Sequence, residues 1–174
     1  MVIRRERNAD REAVRAVLAE AFEDEAPQAV PVEVGLVDAL RESAEWLPEL
    51  AIVAESGEGG GEVVGYVVCT RGWVDDRPAL GLGPLAVRPA VQRTGAGSAL
   101  MHAVLGAADA LGEPLVALLG HTEYYPRFGF GPAEGLGIKA PVADWGPHFQ
   151  ARALSAYEPD LRGEFRYAQP FSDL

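Results

Sequence analysis

The chain has 174 residues, 48% of them hydrophobic and 24% charged, which is enough to bury one core and excludes general disorder. Its net charge of −11 excludes the surplus of Lys and Arg that a sequence-independent nucleic-acid binder needs. No apolar run approaches the roughly 20 residues that span a bilayer, residues 1–7 lack the apolar stretch of a secretory leader, and a single Cys69 forms no internal disulfide, so a cytoplasmic protein without nucleic-acid or membrane partners is expected.

Residues 2–5 read as a short strand. Val14, Val17, Leu18, Ala21 and Phe22 then recur at helical spacing and mark one apolar helix face. Pro27 and Pro31 interrupt the chain, and a second helix is expected from Pro31 to about Ser43, with Val34, Val37 and Leu40 inward. Two strands follow, 50–55 and 62–70, joined by the glycine loop 57–61. A turn at Asp75-Asp76-Arg77-Pro78 leads to a third strand, 79–87. The stretch 97–111 is helical, ending at Gly112 and Pro114. Leu115-Val116-Ala117-Leu118-Leu119 is a continuous apolar strand of the kind found inside a sheet. A short helix over 122–128 and two strands, 149–156 and 164–167, complete the pattern. The helix between strands 79–87 and 115–119 implies a βαβ crossover within a single α+β or α/β domain, 1–174.

The informative turn is Gln92-Arg93-Thr94-Gly95-Ala96-Gly97-Ser98, where a strand gives way to a helix. The first N–H groups of a helix have no intrahelical acceptor, and the helix dipole adds partial positive charge there. Together they suit a diphosphate, which Gly95 and Gly97 let approach the backbone and beside which Arg93 places a cation. No Gly-Lys-Ser/Thr follows, so this is not a Walker loop. The third glycine of a dinucleotide fingerprint would fall on Leu100.

Val87-Arg88-Pro89-x-x-Gln92-Arg93-x-Gly95-x-Gly97 resembles the acetyl-CoA motif of the GNAT acetyltransferase superfamily, V-x-P-x-x-Q/R-x-x-G-x-G/A. Tyr124-Tyr125-Pro126-Arg127-Phe128-Gly129-Phe130 resembles the later Y-x-x-x-G-F element of that family, at the expected separation. The resemblance is strong over about 80–130 and looser beyond. It implies an α+β fold (α/β three-layer) whose mixed, mostly antiparallel sheet carries helices on both faces. It implies acetyl-CoA as co-substrate without a metal, and an amine acceptor on a small molecule or peptide. Leu85, Ala86 and Val87 would pair with the pantetheine arm. The backbone from Arg93 to Ser98 (Arg93, Thr94, Gly95, Ala96, Gly97, Ser98) would cradle the diphosphate, with Gln92 shaping the loop. Tyr125, four residues before Gly129, would donate a proton to the departing thiolate. Homodimers are common among such proteins.

Two departures stand out. Leu118-Leu119-Gly120-His121 replaces an asparagine that many members carry, and 79–85 holds no carboxylate to act as general base. The base is then solvent or a residue of the N-terminal helices. Glu23, Asp24 and Glu25 read first as a solvated face, and His121 as a capping residue or a base. His102 and His148 read as structural, while Trp73, Trp145 and Phe149 either line an acceptor pocket or pack in the core. The missing carboxylate keeps a second reading open, a non-catalytic acyl-CoA-binding module; a protein-interaction domain without a nucleotide site is a more distant third.

Overall fold

A computed structural model describes residues 1–58 and 60–174, so Gly59 of the expected glycine loop lies outside the described residues. In chain order the strands are β1 Val2–Arg5, β2 Ala51–Glu55, β3 Val63–Val74, β4 Arg77–Val87, β5 Leu115–Leu119, β6 Gly131–Pro132, β7 Ile138–Lys139, β8 Phe149–Ala153 and β9 Gly163–Arg166. The α-helices are α1 Arg11–Ala21, α2 Val32–Arg41 and α3 Ala96–Ala110. The main sheet runs β1-β2-β3-β4-β5-β8-β6, with β9 pairing to both β3 and β7. Along that path the neighbours are antiparallel except β4 and β5, which α3 connects by the expected crossover; of the side pairs, β3–β9 is antiparallel and β7–β9 parallel. The fold is therefore α+β, a mixed and mostly antiparallel sheet with helices on both faces.

Alternation along the central strands builds two apolar layers. Ala51, Val53, Tyr66 and Val68 face Val14, Val17 and Leu18 of α1 and Val34 and Val37 of α2. Ile52, Ala54, Val67 and Cys69 face Leu100, Met101, Val104 and Leu105 of α3. Strands covered on both sides read as nearly continuous hydrophobic runs, which is why β2 and β3 show little polar alternation. A third cluster, including Leu115, Ala117, Phe149, Ala151 and Phe165, joins the C-terminal strands to the far end of the sheet.

Several boundaries differ from expectation. Asp75 adopts φ 53°, so the β3–β4 turn is tighter and Pro78 sits within β4 opposite Trp73; a short Asx side chain tolerates that left-handed conformation. The expected helix over 122–128 is one 3-10 turn, Tyr125–Phe128, stopped by Gly129 at φ 86°. β8 ends at Ala153 because Ser155 turns away, its N–H and Oγ donating to the Asp109 carboxylate at 2.9 and 3.0 Å. The strand expected at 164–167 is shifted by one residue as β9. Among the described residues no helix is long and apolar enough to cross a membrane.

Candidate active site

β4 and β5 pair only at Leu80↔Val116 and Gly81↔Ala117. Beyond that point each follows a different neighbour. β4 stays with β3 as far as Val87, opposite Gly65, and β5 stays with β8 as far as Leu119, opposite Phe149. Gly120 extends the second attachment, because its N–H donates to the His148 carbonyl at 3.0 Å and its carbonyl accepts from the buried Gln150 Nε2 at 3.1 Å. Two strands held by different partners must diverge, and a cleft of about 1050 Å³ opens beside them.

The wall of that cleft is β4. Its register with β3 slips between Val67↔Leu85 and Cys69↔Leu82, a bulge at Gly83-Pro84 where Gly83 takes φ 149°. Arg88 N–H donates to the Val64 carbonyl at 2.9 Å. Antiparallel ladders alternate, so the main-chain groups of Ala86 also point at β3, whereas those of Leu85 and Val87 point away from it, toward the splayed side. There the Val87 carbonyl accepts from Gln92 Nε2 at 3.2 Å, which ties the following loop back to the strand end.

The loop itself is open. Gln92, Arg93, Thr94 and Gly95 are exposed, Gly97 and Ser98 are half-buried and Ala96 is buried. Arg93 at φ 64° and Gly95 at φ 93° are both left-handed, so the chain turns sharply into α3; at Gly95 the absence of a Cβ makes this inexpensive. Thr94 Oγ1 donates to the Val91 carbonyl at 2.6 Å and is thereby used inside the turn. The first backbone bond of α3 runs from Ala99 N–H to the Gly95 carbonyl, 3.0 Å, which leaves the N–H groups of Ala96, Gly97 and Ser98 without an intrahelical acceptor. Fifteen residues of helix lie behind them, with no acid in the first turn, so the positive end of the dipole is undiminished.

The two tyrosines divide between the ends of this arrangement. A Cβ at Gly97 would stand 3.0 Å from the Tyr124 hydroxyl, so Tyr124 lies over the first turn of α3, with the Arg127 guanidinium 4.7 Å from its ring centre. Tyr125 lines the cleft together with Leu82, Leu85, Leu119 and His121. Its ring packs on Gly120 and edge-on to Tyr124 and Phe130, at 5.0 and 6.0 Å between centres. Burial pushes its phenol up to about 12, with Tyr124 adding to the effect.

The remaining candidates separate in the same way. His121 is exposed and lines the cleft, as does Trp145. His102 packs edge-on to Phe128 at 5.3 Å, Phe149 is core, and Trp73 carries the Arg166 guanidinium at 4.4 Å. Glu23, Asp24 and Glu25 are exposed on a single 3-10 turn and none lines the cleft. Two residues escaped the sequence reading. Gln150 has no signature, since its role is to bond the Gly120 and His121 carbonyls from a neighbouring strand. Glu33 lies in the first turn of α2 and lines the cleft. Its only sequence signal is an acid beside the apolar helix stripe, which any solvated face also shows.

Three comparisons agree with this geometry. The profile of the Acetyltransferase (GNAT) family matches residues 11–130. An uncharacterised N-acetyltransferase of Escherichia coli, YjhQ, is 34% identical over 146 residues, covering 79% of this chain and 79% of that protein. Among solved structures, the GNAT family N-acetyltransferase YhbS of Escherichia coli in complex with CoA superposes with a TM-score of 0.82 and 28% identity, over 98% of this chain and 91% of that one. A GNAT family acetyltransferase from Brucella melitensis in complex with acetyl-CoA gives 0.77 and 30%, over 98% and 97%. A splayed sheet, a glycine turn opening α3 and a matching profile across both thus come together, and the chain belongs to the GNAT acetyltransferase family.

Proposed function

We propose that this protein transfers an acetyl group from acetyl-CoA to an amine of a small molecule or peptide, by direct attack of the amine on the thioester. One observation carries the reading. The cleft is lined by β4 as far as Leu85, and the same strand runs on through Val87 to a turn whose helix-start N–H groups have no intrahelical acceptor, an arrangement that suits an extended pantetheine joined to a diphosphate. The relatives crystallised with CoA and acetyl-CoA support the same assignment.

In this reading Leu85 and Val87 offer the main-chain groups that pair with the pantetheine arm, while Ala86 holds the strand to β3. Gln92 braces the loop, Arg93 faces the phosphates from solvent, and Gly95, Ala96, Gly97 and Ser98 supply the backbone cradle. The bulge at Gly83-Pro84 aims the next N–H, that of Leu85, at the developing oxyanion. The ammonium form of the acceptor releases one proton to solvent in the open cleft before attack. As the new C–N bond forms and the C–S bond breaks, Tyr125 gives its proton to the departing sulfur and takes back the second nitrogen proton. Its raised pKa keeps that hydroxyl protonated across the neutral range. A buried free thiol at Cys69 suits the reducing cytoplasm.

Thiol release from acetyl-CoA across a panel of amines tests the activity. Tyr125→Phe is expected to slow turnover about 100-fold while calorimetry shows unaltered CoA affinity. Wild-type protein that binds acetyl-CoA yet releases no thiol with any amine is a binding module and not an enzyme. Protein that binds no CoA at all contradicts the whole reading.

A further inference from the structure

The cleft continues past Tyr125 onto the opposite side of the sheet from α3. There its walls are apolar: Phe22, Val32, Leu36, Val142, Trp145 and Phe171. Val32 and Val142 are 59% and 45% exposed and join the other four in one apolar surface. Into this lining projects one carboxylate from the first turn of α2, that of Glu33.

Of the other charged groups of the cleft, Asp75 and Arg166 are engaged, and the second acid without an ion pair among the described residues, Glu164, is exposed on β9 rather than set on the apolar wall. Asp75 Oδ1 accepts the Glu164 N–H at 2.9 Å, closing the β3–β4 turn against β9. Arg166 stacks on Trp73 at 4.4 Å. Glu164 stands beside them at the far end, on β9, and His121 belongs to the β5 end. Among the described residues Glu33 forms no ion pair. The charged residue that bears on it from its own side is Glu25, which repels it. At the start of α2 the half-buried carboxylate meets its own backbone N–H but no cation of the protein, which leaves it free to meet a cation from outside.

We propose that the acceptor is a monocationic amine on an apolar or aromatic body, its ammonium held by Glu33 and its body lodged between Trp145, Phe171 and Val142. The inference rests on the acetyltransferase reading and adds the class of acceptor to it. Further charges on the acceptor's body would stand against Trp145, Phe171 and Val142, and a neutral acceptor would leave Glu33 without a counter-ion. Burial that already holds the Glu33 carboxyl above its ordinary pKa means that a neutral Gln is tolerated there, so Glu33→Gln is expected to fold and to melt no lower than wild type at pH 7.

The test is calorimetric and uses 2-phenylethylammonium and its neutral counterpart 2-phenylethanol, titrated into CoA-saturated protein at pH 7. The ammonium is expected to bind at least about 10-fold more tightly than the alcohol, as a charge-assisted hydrogen bond provides. Glu33→Gln is expected to abolish that preference, leaving alcohol binding as it was, and Glu33→Asp to restore part of it. Equal binding of the two ligands by wild type, no heat from the ammonium, or a preference that survives in Glu33→Gln overturns the proposal. CoA binding is measured first in the same cell. Its failure removes the acetyltransferase reading itself, whereas CoA binding without ammonium recognition removes only the acceptor class.

Discussion

Tyr125 and Gly120 depend on one another. A Cβ at Gly120 would stand 2.4 Å from Cε2 of the Tyr125 ring, well inside any contact distance, so the ring occupies space that only glycine leaves. Gly120→Ala is expected to displace the ring while the β5–β8 bonds that precede it persist. A displacement of about 1 Å at a reacting group costs on the order of 100-fold in turnover, so thiol release should drop by about that factor. CoA affinity, measured by titration, should stay near wild type. Turnover within twofold of wild type would show that the ring's position is irrelevant. At this scale the sequence was legible for position where a motif fixed it: Tyr125 lines the cleft, and the turn from Gln92 to Ser98 opens α3. It was silent on Glu33, because what distinguishes that acid from Glu23, Asp24 and Glu25 is which surface α2 turns toward the C-terminal segment. That is a tertiary fact with no local signal.

At the scale of elements, one polar cluster fastens the N-terminal strand. Arg4 on β1 donates through Nη1 and Nη2 to Asp10 at 2.7 and 3.0 Å and through Nε to Glu55 on β2 at 2.8 Å. Asp10 also accepts the Arg7 N–H at 2.7 Å, and Glu55 the Gly61 N–H at 3.0 Å. The Arg4 hydrogen bonds hold both carboxyls below their ordinary pKa, the backbone bonds adding to the effect. Folded-state pKa values below the unfolded ones, about 3.9 for Asp and 4.3 for Glu, mean stability that is complete above that range and is lost as pH falls through the lowered values. Thermal melts from pH 7 to pH 2 should therefore show the midpoint falling below about pH 5. Arg4→Met should flatten that acid limb, and an unchanged limb would refute the role of the cluster. The long periodic elements, α1, α2, α3 and the strands through β5, were legible because burial of a face imposes a period on many residues. β6 and β7 were not, since two residues each carry no period, and the ends of β8 and β9 are set by Ser155–Asp109 and Asp75–Glu164 contacts between distant segments.

For the molecule as a whole, the order of elements and the crossover through α3 could be read from the sequence, but the divergence of β4 from β5 could not. It arises because β3 and β8 hold the two strands over different lengths, and the pairing of β5 with the distant β8, Leu119 to Phe149, leaves no local trace. That divergence opens the cleft beside Leu85 and Tyr125, while β4 itself continues to the glycine turn that starts α3. The protein carries a net charge of −11, so an anionic thioester is repelled by the molecule overall and must be retained by donors concentrated at that turn. Amide proton shifts in a two-dimensional ¹⁵N–¹H spectrum, followed as CoA is titrated in, measure this directly. The largest downfield movements are expected at Gly95, Ala96, Gly97 and Ser98, saturating together with those of Leu85 and Val87. Saturation by CoA with these amides unmoved, and the shifts centred elsewhere, would contradict it.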